Sequence, residues 1–196
     1  MLFPQLPNAK YQIIYFDPSW SYLDKALAGN RGAGCKYDTM PMDELKQIPL
    51  QDIADTNCFL FMWATYPHLK DAFELIDHYG FEYKTVAFTW VKIRHNGTWF
   101  MGLGSYTRSN AELVLLATKG KPQRIDKGVG QIIKTTYNGI HSKKPDTVRQ
   151  RIIRLCGNIP RIELSSRTLV HGWQVIGNDH KLSLKPLEAY NIENTL

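Results

Sequence analysis

The sequence predicts an α/β protein in which a mostly parallel sheet carries helices on both faces. Apolar runs of strand length alternate along the chain with amphipathic stretches of helix length, and this alternation is typical of such sheets. The chain has 196 residues, of which 43% are hydrophobic and 21% are charged. That length and balance suit one soluble domain with a substantial core. We therefore expect a single domain over residues 1–196.

The strands are predicted from short runs rich in β-branched, aromatic and aliphatic residues. Runs that are apolar throughout indicate strands buried on both faces, whereas the mixed pattern of Glu82–Ile93 indicates partial exposure. The predicted strands are Tyr11–Asp17, Cys58–Thr65, Glu82–Ile93, Ala111–Thr118, Arg161–Leu164 and Trp173–Ile176.

Helices are predicted between these strands from apolar residues that recur every three to four positions. Pro67–Tyr79 has such a stripe and is followed by Gly80, which suits a helix end; the stripe consists of Leu69, Ala72, Phe73 and Ile76. Pro145–Cys156 is framed by Pro145 and Gly157 in the same way, with Val148, Ile152, Leu155 and Cys156 on the apolar face. On other faces of that helix we expect Arg149, Arg151 and Arg154. Met42–Ile48 is a shorter helix candidate.

The chemistry is expected at one edge of the sheet, because ligands of open α/β sheets bind beyond the carboxyl ends of the strands. Two long connections, Ser21–Pro41 and His95–Asn110, are rich in glycine and polar residues. Connections of that length in a small domain are usually functional or mobile.

Charge and cysteine content narrow the function classes. Lys plus Arg number 24 and Asp plus Glu 18, so the net charge of +6 suits a polyanionic partner, although many mildly basic proteins bind no nucleic acid. Cys35, Cys58 and Cys156 are far apart and give neither a disulfide framework nor a zinc site, and the histidines lack metal-ligand spacing. We expect no metal.

The sequence has no signal-peptide pattern and no membrane-spanning run, so we expect a cytoplasmic protein without membrane contact.

The first predicted strand ends in Asp17-Pro18-Ser19-Trp20, a motif suited to methylating the exocyclic amine of adenine. That amine is a poor nucleophile, because its lone pair is delocalised into the ring. A carboxylate and a carbonyl that accept its two N–H bonds favour a tetrahedral nitrogen, proline stiffens the turn, and a neighbouring ring stacks on a flipped-out base. The same four residues also fit an ordinary turn with a tryptophan packed on the core.

Seven motifs, in order from about Tyr11 to Asp179, resemble the MT-A70 family of adenine-N6 methyltransferases. Its hallmark Asp-Pro-Pro-Trp corresponds to Asp17-Pro18-Ser19-Trp20. The other six are Tyr37-Asp38-Thr39-Met40, Phe59–Trp63, Thr89-Trp90-Val91-Lys92, Ala111–Gly120, His141–Asp146, and Glu163–Arg167 with Gly172-Trp173 and Gly177-Asn178. The resemblance implies a Rossmann-like class I methyltransferase fold in which the catalytic motif precedes the cofactor motif.

The resemblance also implies roles for individual residues. Asp17 and the Pro18 carbonyl grip the target amine, with Ser19 in the same turn, and Trp20 stacks on the base. The expected ligands of S-adenosylmethionine are Asp17, Lys144, Glu163, Arg167, Asn178 and Asp179. Expected substrate contacts, through phosphates before bases, are Trp20, Tyr37, Lys92, Arg94 and Arg108. For Lys144 the alternative is a solvated lysine at a helix start, and Trp63 and Trp90 fit the core better than the site.

The function implied is transfer of a methyl group from S-adenosylmethionine to N6 of adenine, in DNA rather than RNA, since no RNA-binding module is attached. A homodimer, or a heterodimer with a related subunit, stays open. Ser19 departs from the second proline of the family, and Ser165-Ser166 departs from its Phe-x pair. Ser19 leaves open an inactive relative that binds nucleic acid or serves as a scaffold subunit, and Ser165-Ser166 bears on the packing around the cofactor. An RNA methyltransferase is the other alternative. No residue is assigned to the cofactor adenine.

Overall fold

The architecture is a seven-stranded sheet packed between helices. The computed structural model of the chain describes residues 5–21, 39–102, 104, 106–137, 144–166 and 168–177. Within these ranges the strands are β1 Tyr11–Phe16, β2 Ala54–Ala64, β3 Glu82–Ile93, β4 Ala111–Lys119, β5 Ile132–Thr136, β6 Arg161–Ser166 and β7 Gln174–Gly177. The helices are α1 Met42–Lys46, α2 Leu50–Ile53, α3 Leu69–His78 and α4 Asp146–Cys156, with a 3₁₀ turn at Tyr66–His68.

The strands are arranged in the order β5-β3-β4-β2-β1-β6-β7. β1 pairs in parallel with β2 and β6, β3 with β5, and β6 with β7. Only β4 runs against its two neighbours, β2 and β3. The predicted mostly parallel sheet is therefore confirmed. Because β4 is antiparallel to β2 and β3, its amino end lies at the same edge of the sheet as their carboxyl ends.

Each face of the sheet is covered by helices, as predicted. Alternate side chains of a strand point to opposite faces. Ile14 and Leu60 therefore pack with α1–α3, through buried residues that include Leu45, Ala72, Leu75 and Ile76. Ile13 and Phe61 pack on the other face with α4, through Val148, Ile152 and Cys156. These two apolar layers make the central strands β1 and β2 inaccessible except at their ends.

The helix boundaries follow the sequence signals closely. Gly80 and Gly157, which follow α3 and α4, have φ of 73° and 95°, a region that favours glycine. The predicted stripe of α3 is wrong at one position: Phe73 is partly exposed, where its ring meets Tyr83, and Leu75 is buried instead. The predicted third helix is confirmed but ends at Lys46 rather than at Ile48.

Three features differ from the sequence-based expectations. β5 and the four-residue α2 were not predicted. Arg149, expected away from the apolar face of α4, is nevertheless buried at 9% exposure, because Glu163 on β6 accepts two hydrogen bonds from its guanidinium. No helix in the described ranges is long and apolar enough to cross a membrane.

Candidate active site

Four charged residues meet at the carboxyl edge of the parallel strands. Asp17 follows β1, Lys92 lies near the end of β3, and Lys144 precedes α4. Glu112 is the second residue of β4, and it reaches this edge only because β4 runs antiparallel to its neighbours. The sheet topology thus brings together two carboxylates and two ammonium groups that are distant in the sequence.

Lys144 lies at the centre of this four-residue network. Its Nζ is 3.0 Å from Oδ2 of Asp17 and 3.2 Å from Oε2 of Glu112. Lys92 pairs with the other carboxylate oxygen of Glu112. The side chains of Lys144 and Glu112 are only 11% and 14% exposed, whereas Asp17 is 28% exposed. Lys144 is therefore not a solvated lysine at a helix start, and Asp17 is the most accessible of these three groups.

The network shifts the pKa values of its two carboxyl groups in opposite directions. Burial raises the pKa of Asp17, and the neighbouring Lys144 offsets this only in part. Burial also disfavours ionisation of Glu112, but Lys144 and Lys92 outweigh it and lower its pKa to about 2. For Lys144, burial favours the neutral amine, yet the two carboxylates prevail and raise its pKa. Glu112 is thus a permanent counter-charge at neutral pH, and Asp17 is the more basic carboxylate.

Trp63, at the end of β2, joins three parts of the site. The Nζ of Lys144 lies 5.0 Å from the centroid of its indole ring, within the range of a cation–π contact. Its Nε1 donates a 2.6 Å hydrogen bond to the hydroxyl of Tyr15. Its main-chain carbonyl accepts a 3.3 Å hydrogen bond from Nε1 of Trp20. Trp63 is fully buried, as predicted for a core residue, and it also contacts both Lys144 and Trp20.

The turn after β1 is held by main-chain hydrogen bonds. The amide of Trp20 donates to the carbonyl of Pro18 at 2.9 Å, and the amide of Met40 donates to the carbonyl of Ser19 at 2.8 Å. The Pro18 carbonyl, expected to accept from a target amine, therefore already has one internal donor. A carbonyl oxygen has two lone pairs, so a second donor can still bind. Ser19 is buried, and its backbone is tied to Met40 across the first long connection.

Trp20 is stacked on a histidine that the sequence analysis did not single out. The ring of His68 lies 5.3 Å from that of Trp20, with only 8° between their planes. Asp71, in the first turn of α3, contacts Nδ1 of the same imidazole at 2.8 Å. Trp20 is 6% exposed. The indole is consequently packed in the core, with one face on His68 and its Nε1 bound to the carbonyl of Trp63.

The other predicted site residues have different surroundings. Glu163 makes a bidentate ion pair with Arg149, at 2.6 Å for both hydrogen bonds, and Asp146 adds a contact to the same guanidinium. This pair joins β6 to α4. Arg94 and Arg108 are exposed in the connection between β3 and β4. Four predicted residues lie outside the described residues: Tyr37, Arg167, Asn178 and Asp179.

Three residues with clear contacts in the site were not predicted: Glu112, Trp63 and His68. Glu112 lay within a family-like segment, but its place at the site depends on the direction of β4, which the sequence pattern does not give. His68 follows a strand, at the position where functional residues were expected. Across the described ranges, no group of three or more His, Cys, Asp or Glu residues could hold a metal ion.

Comparison with known proteins places this chain among methyltransferases. The MT-A70 family model matches residues 11–179, a segment that includes Asp17, Glu112 and Lys144. The Type II methyltransferase M.MunI of a Mycoplasma species is 38% identical over 190 residues, which cover 88% of this chain and 78% of that protein. The N(6)-adenosine-methyltransferase subunit METTL3 of Danio rerio is 25% identical over 178 residues, which cover 86% of this chain but only 28% of that subunit.

Proposed function

Since the chain belongs to the MT-A70 family of methyltransferases, we propose that it transfers a methyl group from S-adenosylmethionine to the N6 amine of adenine in DNA. The observation that carries this proposal is Asp17-Pro18-Ser19-Trp20 at the end of a central strand, with the Asp17 carboxylate 3.0 Å from a buried lysine. The family match makes methyl transfer the reaction class. The motif chemistry makes an exocyclic amine the acceptor.

The charged groups of the site fit the cofactor. S-adenosylmethionine supplies a methyl group on a positively charged sulfur, and its methionine portion carries a carboxylate and an ammonium group. Lys144 is a compact cation that can pair with the carboxylate. Asp17 and Glu112 provide two anions for the positive groups, and the lowered pKa of Glu112 keeps it ionised at neutral pH. We assign Lys144 to the methionine carboxylate, and Asp17 mainly to the target amine with a lesser contact to the cofactor.

The residues of the motif act by holding the acceptor amine. The Asp17 carboxylate accepts one N–H of the amine, and the second lone pair of the Pro18 carbonyl accepts the other. Trp20 is assigned to stacking on the adenine, and because its indole is buried and packed on His68, this stacking requires the ring to be uncovered. S-adenosylmethionine, when bound, would supply the methyl group from its sulfur to N6, and Asp17 or water would accept the N6 proton. The raised pKa of Asp17 suits it to accept a hydrogen bond or a proton.

DNA is favoured as the polymer because of the two relatives. The chain is 38% identical to the Type II methyltransferase M.MunI and spans 78% of it, whereas it spans only 28% of the N(6)-adenosine-methyltransferase subunit METTL3. The name of METTL3 supports N6 of adenosine as the target position. Tyr37, Lys92, Arg94 and Arg108 are proposed as nucleic-acid contacts. Arg167, Asn178 and Asp179 are proposed on the cofactor side. Glu163, expected there or as a structural acid, is proposed as the structural partner of Arg149, because both its carboxylate oxygens bind that guanidinium.

The experiment is transfer of labelled methyl from S-adenosylmethionine to unmethylated duplex DNA, single-stranded DNA and RNA, followed by digestion to nucleosides. We expect label in N6-methyladenine from DNA. Label only in RNA would reassign the polymer. A chain that binds the cofactor but labels no polymer would instead fit the inactive relative that Ser19 leaves open.

Variants of the site separate methyl transfer from cofactor binding. Asp17→Ala should abolish methyl transfer while largely preserving cofactor binding, because Lys144 keeps Glu112 as its partner. Lys144→Ala should weaken cofactor affinity by about 10- to 100-fold, the range for losing a charged hydrogen bond. Calorimetry measures both affinities, and the exposed Lys84→Ala serves as the control lysine. Near-normal turnover of Asp17→Ala, or unchanged affinity of Lys144→Ala, would refute the respective role.

A further inference from the structure

The connection between β3 and β4 begins with a small hairpin that extends the sheet past its edge. The amide of Arg94 donates to the carbonyl of Thr98 at 2.8 Å, and the amide of Phe100 donates to the carbonyl of Lys92 at 3.1 Å. Trp99 lies directly opposite Ile93 in an antiparallel bridge. We call residues 92–100 the finger.

The tip of the finger is ordered by its own side chains. Oδ1 of Asn96 accepts hydrogen bonds from the amide of Thr98 at 3.2 Å and from its hydroxyl at 2.7 Å. Gly97 has φ of 79°, which a turn of this shape requires and which other residues seldom adopt. The amide of Gly97 also donates to the carbonyl of Arg94. The finger is thus preformed, and little conformational entropy is lost when a partner binds it.

The two faces of the finger have different surroundings. On one face, Lys92 pairs with Glu112, and Phe100 packs against Tyr137 with 4.6 Å between ring centroids. On the other face, the Nζ of Lys134 on β5 lies 5.2 Å from the ring centroid of Trp99. Trp99 remains 55% exposed. The first face ties the finger to the catalytic network, and the second presents a large ring and a cation to solvent.

The charge of this region is of one sign. Residues 93–110 and 131–137 contain Arg94, Arg108 and Lys134, and they contain no aspartate or glutamate. Lysine and arginine near an exposed aromatic ring form the combination that binds single-stranded nucleic acid: the cations pair with phosphates and the ring stacks on a base. An acidic or purely apolar partner would use only part of this surface.

We propose that the finger holds the nucleic-acid strand beside the target nucleotide, with Trp99 stacked on a neighbouring base and with Lys134 and Arg94 paired to phosphates. The inference rests on the proposed function, since extrusion of the target adenine leaves adjacent bases partly unstacked and available to an aromatic ring. The Lys92–Glu112 ion pair connects the root of the finger to Lys144 and Asp17. A strand bound on the Trp99 face is therefore held by a segment that begins at the site, on the face opposite Lys92 and Glu112.

The test is the affinity of the full chain for short labelled oligonucleotides of mixed sequence, duplex and single-stranded, measured by fluorescence anisotropy. Trp99→Ala should weaken binding by about 5- to 150-fold, the range for one lost stacking contact, and Trp99→Phe should retain most of it. Lys134→Ala should lower the steepness of the salt dependence by about 0.7 to 0.9, equivalent to one phosphate. Tyr83→Ala and Lys84→Ala, at the opposite end of β3, are the matched controls.

The outcomes separate this inference from the proposed function. Cofactor affinity should be unchanged in all finger variants, while the KM for nucleic acid rises. If the wild-type chain transfers methyl groups and the folded variants Trp99→Ala and Lys134→Ala bind oligonucleotides with wild-type affinity, the role of the finger is refuted and the proposed function is not. No methyl transfer by the wild-type chain would overturn the proposed function, while the anisotropy still reports on the finger. Failure to bind any oligonucleotide, or a dimer that Trp99→Ala dissociates in sedimentation, would show that the finger serves another purpose.

Discussion

At the residue scale, the site depends on the different ionisation of two carboxylates that share one lysine. Lys144 contacts both, yet burial raises the pKa of Asp17, whereas Lys144 and Lys92 lower that of Glu112 despite its burial. Glu112 therefore neutralises the lysines, and Asp17 is left to interact with an acceptor. Pairs of titratable groups whose surroundings separate their pKa values often mark the acid–base residues of an active site.

The stability of the protein should fall in acid partly through Glu112. Its pKa is about 2 in the folded chain and 4.5 ordinarily, so between these values the unfolded state binds more protons. The contribution of Glu112 is complete above pH 4.5 and is lost as the pH falls toward 2. Asp17, with a raised pKa, has the opposite sign: its contribution increases as the pH falls through that raised value toward 3.8.

Glu112→Gln tests this prediction. Removing one partner of a buried ion pair typically costs about 3 to 5 kcal/mol, and we expect a loss near the low end because Lys144 keeps Asp17. Urea unfolding at neutral pH and at pH values on both sides of 4.5 provides the free energies. The variant should be less stable at neutral pH and should lose less stability in acid than the wild-type chain. If the free energies of unfolding of the variant and the wild-type chain change with pH in parallel, the role given to Glu112 is contradicted.

A second prediction at this scale concerns the stacking of His68 on Trp20. An aromatic pair of this kind contributes about 0.5 to 1.5 kcal/mol, so His68→Leu should lower the methylation rate about 2- to 10-fold if Trp20 must be held in place. His68→Phe preserves a flat ring and should retain most of the rate. Steady-state kinetics with both variants distinguish stacking from volume, since equal losses in Leu and Phe variants would exclude stacking as the cause.

At the scale of elements, the sequence predicted most strands and helices but not how they are joined. β1 and the second half of β2 are mostly apolar runs, so their identity followed from composition, whereas the polar start of β2 before Cys58 was not predicted. β5 was missed because it is short and carries alternate exposed residues at the edge of the sheet. The direction of β4 was not predictable, since it arises from pairing with β2 and β3. The position of Glu112 in the site and the burial of Arg149 both depend on such tertiary contacts.

The Arg149–Glu163 pair attaches α4 to β6, and its role can be separated from cofactor binding. Glu163→Gln leaves the buried guanidinium of Arg149 with only the exposed Asp146 as a carboxylate partner, so we expect a loss of about 3 kcal/mol, the low end of the range for a broken buried pair, in the free energy of unfolding. Because both carboxylate oxygens already bind Arg149, we expect little direct effect on cofactor affinity. Chemical denaturation and calorimetry on the same sample measure the two effects. A large loss of affinity in a stable variant would restore Glu163 as a cofactor ligand.

At the scale of the whole molecule, the predicted α/β architecture was correct because its signals are redundant. Alternating apolar runs, helix stripes and terminal glycines all indicate the same layered sheet. The family match over residues 11–179 agrees with that architecture, which is the Rossmann-like fold of class I methyltransferases. The reactive groups converge at one edge because β1, β2, β3 and β6 end there and β4 begins there.

The excess of 24 basic over 18 acidic residues leads to a prediction about salt. Each phosphate neutralised by the protein releases condensed counterions, so the logarithm of affinity for duplex DNA falls by about 0.9 per phosphate for each unit of log salt. If Arg94, Arg108 and Lys134 each bind one phosphate, a fourfold increase in salt weakens DNA binding by about 40-fold. Cofactor affinity should change much less, because the ligand carries few charges and Lys144 is buried. Anisotropy and calorimetry across the same salt series test this, and equal salt dependence for both ligands would place the DNA-binding energy in contacts other than phosphates.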